Sequence, residues 1–334
     1  MVTAQEHGHV LESKLRTVAS ELLKEKKVDL IIGYSKGTIP QRSSPYIARN
    51  PADTSNFIWN NLGYTNLAKY LLAKRKKKVD NKEVDLKIGV VAKGCVGRAI
   101  NQLIVEKQVT RENVVIIGIP CNGMIDLNRI YEAVGTKEIL DIALVGDDIV
   151  VKGRGFEKKL PFNENINTLC KACKIKTPPI TDVLIGESNN LPIDEKFQDV
   201  IAFEKMPANE KRDHVQQLLH DCIKCGSCRQ ACPFCYCKLC FVDQNKPVWF
   251  NKTFDMNDIL VFHLIRSIHL AGRCVSCGAC YGACPIGINL NELTRKLEKL
   301  SKARFDYVPG MDLKTPPPMM AFKLDDDQGF ILEE

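Results

Sequence analysis

The residues best equipped for chemistry in this 334-residue chain are its fifteen cysteines, and most of them fall in clusters. Cys222-x-x-Cys225-x-x-Cys228-x-x-x-Cys232-Pro233 recurs as Cys274-x-x-Cys277-x-x-Cys280-x-x-x-Cys284-Pro285, each position shifted by 52 residues, which marks an internal duplication. Three thiolates on a tight loop hold three corners of a [4Fe–4S] cube, and the fourth, just before proline, reaches the other cube. The spacing predicts one cluster on Cys222, Cys225, Cys228 and Cys284, and a second on Cys274, Cys277, Cys280 and Cys232. Gly226 and Gly278 let the loops wrap closely around inorganic sulfide. Zinc knuckles fit less well, because they use paired cysteines. Cys228-x-x-x-Cys232-x-x-Cys235 has the spacing of a radical-S-adenosylmethionine cluster. It overlaps the duplicated run, however, and no series of barrel strand–helix units follows it.

Seven cysteines remain. Cys170-x-x-Cys173 is a two-ligand hook, and Cys95 and Cys121 each follow a predicted strand, so these four supply the number of thiolates a third cubane needs. By spacing alone, a redox disulfide at Cys170/Cys173 and two buried thiols at Cys95 and Cys121 stay open. Cys235, Cys237 and Cys240 are one thiolate short of a closed site. They could hold a further metal site with an outside ligand, replace a ligand in the assignment above, or stay free. His263 and His269 lie on an amphipathic helix pattern over 257–271 and read as packing or surface residues, since eight thiolates already complete two cubes.

Residues 1–190 alternate helix and strand signals that would position these groups. Helices are expected over 10–27, 65–77 and 96–107, and buried strands over 28–33, 86–92 and 114–119, with a long loop over 33–51. This order predicts a parallel sheet covered on both faces, with ligands at the loops beyond the strands' carboxyl ends. Those loops hold Gly33–Pro40, Lys93–Cys95 and Pro120–Gly123. The expected fold class is an α/β flavin-type domain followed by a helix-rich dicluster [4Fe–4S] ferredoxin-like domain. Its parts are an α/β flavin and proximal-cluster domain over 1–190, a linker over 191–215, the dicluster domain over 216–300, and an extended tail over 301–334.

The composition, 45% hydrophobic and 26% charged with a formal charge of +7, is that of a globular chain. No run approaches the roughly 18 apolar residues of a membrane span. An odd, clustered cysteine count without an apolar signal segment argues against a secreted disulfide scaffold and for a cytoplasmic protein. The basic run Lys74–Lys78 reads as the last turn of a helix and lacks interleaved aromatics, so nucleic acid is not an expected partner.

Val115-Ile116-Ile117-Gly118-Ile119-Pro120-Cys121-Asn122-Gly123-Met124, followed by the Cys170/Cys173 hook and Thr181-Asp182-Val183-Leu184-Ile185-Gly186, resembles the beta-subunit family of coenzyme F420-reducing hydrogenases and formate dehydrogenases. Asn61-Leu62-Gly63-Tyr64-Thr65-Asn66-Leu67 looks like that family's glycine-containing loop and helix. The likeness spans roughly residues 25–300, and the order of the parts looks most like the formate dehydrogenase beta subunits. The resemblance implies that Cys95, Cys121, Cys170 and Cys173 ligate a third [4Fe–4S] cluster. It also implies an FAD that splits a hydride into single electrons. There is no Gly-x-Gly-x-x-Gly fingerprint, so FAD rests on the resemblance alone. Its expected contacts are Gly63, Thr65, Asn66, Lys93, Gly94, Asn122 and Gly123, with Lys93 also readable as a surface lysine. Expected partners are coenzyme F420 or a similar hydride carrier, and subunits of formate dehydrogenase, hydrogenase or heterodisulfide reductase type. The rival expectation is an iron–sulfur adapter with no soluble substrate. A zinc-stabilised interaction protein is a third. Each all-cysteine [4Fe–4S] unit adds about −2, so three would bring +7 to roughly +1 and make the surplus Lys and Arg counter-charge for buried cofactors.

Overall fold

The computed structural model describes residues 4–73, 76–79, 82–193, 196–251 and 253–322. Helix α1 (Ala4–Lys24) buries Leu11, Leu15, Ala19, Leu22 and Leu23 along one stripe. Strand β1 (Leu30–Lys36) turns back into β2 (Ser43–Ala48) as an antiparallel pair. An exposed hairpin, β3 (Lys76–Val79) and β4 (Lys82–Asp85), precedes the buried strand β5 (Ile88–Ala92). Helix α2 (Gly94–Val105) leads to the equally buried β6 (Val114–Gly118), then α3 (Leu127–Val134). A separate antiparallel sheet follows, β7 (Ile139–Val145), β8 (Asp148–Gly153) and β9 (Phe156–Pro161). Short helices α4 (Phe162–Asn165) and α5 (Thr168–Ala172) return the chain to β10 (Val183–Leu184).

The central sheet has the order β10-β6-β5-β1-β2, parallel from β10 to β1 with β2 antiparallel at the edge. Every residue of β5 and β6 is buried, as the near-continuous apolar runs of a sheet covered on both faces require. The remainder is helix-rich: α6 (Gln198–Lys205), α7 (Ala208–Leu219), α8 (Ser227–Ala231), α9 (Met256–His269), α10 (Ala279–Gly282) and α11 (Asn291–Phe305). The molecule is thus a mixed α/β sheet domain joined to a helix-rich region.

Several local expectations change. The helix expected over 65–77 is only a 3-10 turn, Leu67–Leu72. Lys76–Lys78 of the basic run lie in the β3 strand, where Lys76 pairs with Glu83 and Lys77 with Asp29, while Lys74 and Arg75 lie outside the described residues. Glu83 across the hairpin and Asp29 just before β1, not a helix dipole, compensate that charge. The loop expected over 33–51 is largely strand, because β1 runs on to Lys36 and takes β2 as its partner. The stretch 191–215 carries α6 and much of α7, which pack on α11 and α9. The tail begins after α11, at 306, and its acidic and apolar end, Leu324–Asp327 and Phe330–Leu332, lies outside the described residues.

The tail's first turns strap the two parts together. Arg98 and Asn101 of α2 donate to the carbonyls of Pro309 (2.9 Å) and Gly310 (3.0 Å), and the Tyr307 hydroxyl donates to Gln102 (2.8 Å). At the C-terminal end of α2, the Glu106 carboxylate, 1% exposed, accepts two 2.7 Å bonds from Arg273 and one of 2.6 Å from Tyr236.

Candidate redox centres

Four thiols meet at the carboxyl edge of the central sheet. Strand β5 ends at Ala92, Lys93 caps α2, and Cys95 lies in the first turn of that helix. The chain leaving β6 carries Cys121. The Asn167 side chain caps α5 by accepting from the Leu169 amide (2.9 Å), and the Asn167 amide donates to Met124 O (2.9 Å), which brings the Cys170/Cys173 hook alongside. Cys95, Cys121, Cys170 and Cys173 line one small cavity of about 30 Å³ with Lys93, Gly94, Gly123, Met124 and Cys277.

That cavity sets the cost of burying thiolates against nearby buried cations. Burial pushes the Cys170 thiol up to about 12 and raises Cys95 and Cys173 as well. Lys93 is 3% exposed, not a surface lysine, and donates to Gly63 O and, at 3.2 Å, to Met124 Sδ. Burial alone would lower its ammonium, but Tyr34 and the Cys95, Cys121 and Cys170 thiols around it hold it above its ordinary range. Arg98 adds a second buried cation beside Cys173. The positive end of α2 adds to both.

The duplicated motif repeats in backbone as in sequence. Lys224 and Ser276 are left-handed at φ 50° and 51°, and Gly226 and Gly278 at φ 72° and 71° before α8 and α10, which pack together. Cys222, Cys225 and Cys228 line a cavity with Cys284 of the second motif, and Cys284 and Cys225 both act on the Cys222 thiol. Conversely, Cys232 of the first motif acts on Cys274, Cys277 and Cys280. Burial is the largest cause raising all three, with Cys280 pushed up to about 12. A hydrogen bond from the Cys235 thiol holds Cys232 down. Arg266 of α9, 4% exposed, stands among Cys280, Cys232, Cys228 and Cys235, and its Nη2 donates to Cys228 O at 3.2 Å.

The three sets adjoin. Cys277 of the second set lines the first cavity and acts on Cys95, while Cys228 of the third set acts on Cys280. Among the described residues no three His, Cys, Asp or Glu side chains converge as ligands of one ion. The ligands of a cube bind four different irons and stand farther apart than four that meet at a single zinc.

The beta subunit of the F420-dependent formate dehydrogenase of Methanocaldococcus jannaschii is 25% identical over 296 residues, covering 70% of this chain and 76% of its own. The corresponding subunit of formate dehydrogenase 1 of Methanococcus maripaludis is 23% identical, covering 70% and 75%. The chain is related to the formate dehydrogenase beta subunits. No family model matches it. A chain of the xenon-derivatised F420-reducing [NiFe] hydrogenase complex of Methanosarcina barkeri aligns with a TM-score of 0.36 at 14% identity, over 52% of this chain and 64% of that one.

Of the residues expected to touch FAD, Asn66 and Lys93 already use their side chains. Asn66 Oδ1 caps Ala68 N (3.1 Å) and its Nδ2 faces Cys95 O (3.4 Å). A Cβ on Gly63 would lie 3.1 Å from the Tyr34 ring, and one on Gly94 2.0 Å from Ile175 O. Tyr34 hydroxyl binds Thr65 O, while Asn122 is exposed. Lys93, Gly94 and Gly123 share only the small thiol cavity, well short of the 300–1,000 Å³ of an organic cofactor site. FAD does not fit among these seven residues as they are arranged. Beside the thiols, spacing missed Arg266, whose signal is a charged residue on the buried face of α9 with Ile259, Phe262 and His263.

Proposed function

We propose that this chain is the electron-relay subunit of a multi-subunit oxidoreductase of the formate dehydrogenase kind, passing single electrons between the centre that handles the hydride and a catalytic partner. The adjoining of the three thiol sets supports this reading above all. Cys95, Cys121, Cys170 and Cys173 would hold one [4Fe–4S] cluster, Cys274, Cys277, Cys280 and Cys232 the next, and Cys222, Cys225, Cys228 and Cys284 the third. Bound there, such clusters supply one-electron carriage at potentials set by charge, hydrogen bonds and burial.

The protein's own groups do the rest. The buried thiols release protons on ligation, so loading is favoured as pH rises. Lys93, Arg98 and Arg266 supply fixed positive charge where thiolates gather, which offsets the cost of burying anions. Cys225 is exposed, so the third set reaches the surface where a partner can dock.

The fuller reading, with FAD exchanging a hydride with coenzyme F420, draws on the names of the relatives. The misfit at the expected contacts favours the adapter form of the relay, in which the hydride is handled on another subunit. Anaerobic protein should carry about four irons for each cysteine set, and serine replacement of any one set should remove about four. Zinc in place of iron, or a set whose replacement leaves iron unchanged, overturns the relay. Stoichiometric flavin in the isolated chain, bleached by reduced F420, overturns the adapter form.

A further inference from the structure

Cys235, Cys237 and Cys240 take no part in the three sets, yet they face a common space. With Arg229, Arg266 and Arg273 they line a cavity of about 570 Å³, a volume within the range of small-molecule sites. Its apolar walls include Phe234, Tyr236, Phe241 and Met319. Arg229 stands beside Cys240, and Arg266 beside Cys235. The acids near these arginines are Asp243, paired with Arg229 at 2.7 Å, and Glu106, paired with Arg273 at 2.7 Å. Arg266 has no carboxylate partner among the described contacts, and its buried Nε has no hydrogen-bond partner at all. That nitrogen has no exposed surface, so what Arg266 brings to the cavity is its charge.

Three thiols in six residues resemble the triplets of the duplicated motif in number, and like them they do not converge on a single ion. A tetrahedral zinc site would need a fourth, convergent donor. Three thiolates do suffice for three corners of a cube, which leaves one iron without a protein ligand. The cavity and its three arginines lie beside the trio. Cys235 also stands beside Cys232, so the trio adjoins the second thiol set.

We propose that Cys235, Cys237 and Cys240 hold a fourth iron–sulfur cluster whose remaining iron faces the arginine-lined cavity, open to a small anionic ligand. This goes beyond the relay and rests on it only for the identity of the neighbouring centre. Its ligands are separate from the other twelve cysteines, so the two ideas fail separately. In anaerobically purified full-length protein, iron should fall from about sixteen per chain to about twelve in C235S/C237S/C240S, with the remaining signals unchanged. Cyanide, the probe for an open iron, should shift the electron paramagnetic resonance of one centre in the wild type and of none in the triple variant. Cys237 is exposed, so Cys237→Ser alone keeps the fold and should abolish the cyanide-sensitive signal if the triple variant is unstable. About twelve irons in wild type and variant alike, zinc at the trio, or a wild type indifferent to cyanide overturns the fourth cluster and leaves the relay standing.

Discussion

Cys232 and Cys284 each precede a proline, and each stands beside the triplet of the other motif rather than its own. Two variants with the same number of serines therefore differ sharply. C225S/C284S should lose one cluster, about four irons, whereas C225S/C232S should damage two and lose about eight. Equal losses would mean that each motif closes on itself. Such pairings are readable from sequence because ligand spacing is local and its repeat is exact in register. The counter-charges are not readable in the same way. Arg266 lies 34 residues from Cys232 and Lys93 28 residues from Cys121, so their roles come from folding that brings distant segments together. The flavin contacts fail for a related reason: Asn66 and Lys93 have the right chemistry, but capping and a buried carbonyl already use it.

At the scale of elements, the first thiol set depends on how closely α2 approaches the chain after the Cys170/Cys173 hook. Gly97 is the contact point, for a Cβ there would sit 2.4 Å from Pro178 Cβ. Gly97→Ala should cost about 1–3 kcal/mol by overpacking. Because α2 begins beside Cys95, it should also lower iron retention at that set; unaltered melting and iron content would show that α2 can shift freely. Strands β5 and β6 were legible as uninterrupted apolar runs, and α1 and α9 from their apolar stripes. The β3–β4 hairpin was not, since four consecutive exposed residues carry no alternation and a lysine run suits a helix end equally well. Helix α6 escaped notice because it is short and its packing partner, α11, comes later in the chain.

Across the whole molecule, the sheet domain and the helix-rich region are joined at the middle and at the C-terminal end of α2. Glu106→Gln should be among the most damaging single changes outside the cysteines. It leaves the largely buried Arg273 without a counter-ion, and breaking such a pair costs about 3–5 kcal/mol. A clear fall in the melting temperature of the iron-loaded protein, with release of iron at lower denaturant, is the expected outcome. A melting temperature equal to that of the wild type would show that the strap alone suffices.

The strap at Tyr307–Gly310 and the Glu106–Arg273 tie have a further consequence for timing. The same helix is pinned across the joint at its middle and at its C-terminal end, so the first and second thiol sets have no hinge between them. Carriers held at a fixed separation exchange charge without waiting for a domain to swing. In the proposed relay, traffic would then be indifferent to solvent viscosity, and control of its direction would fall to the two ends of the relay, where a donor would arrive and a partner would dock.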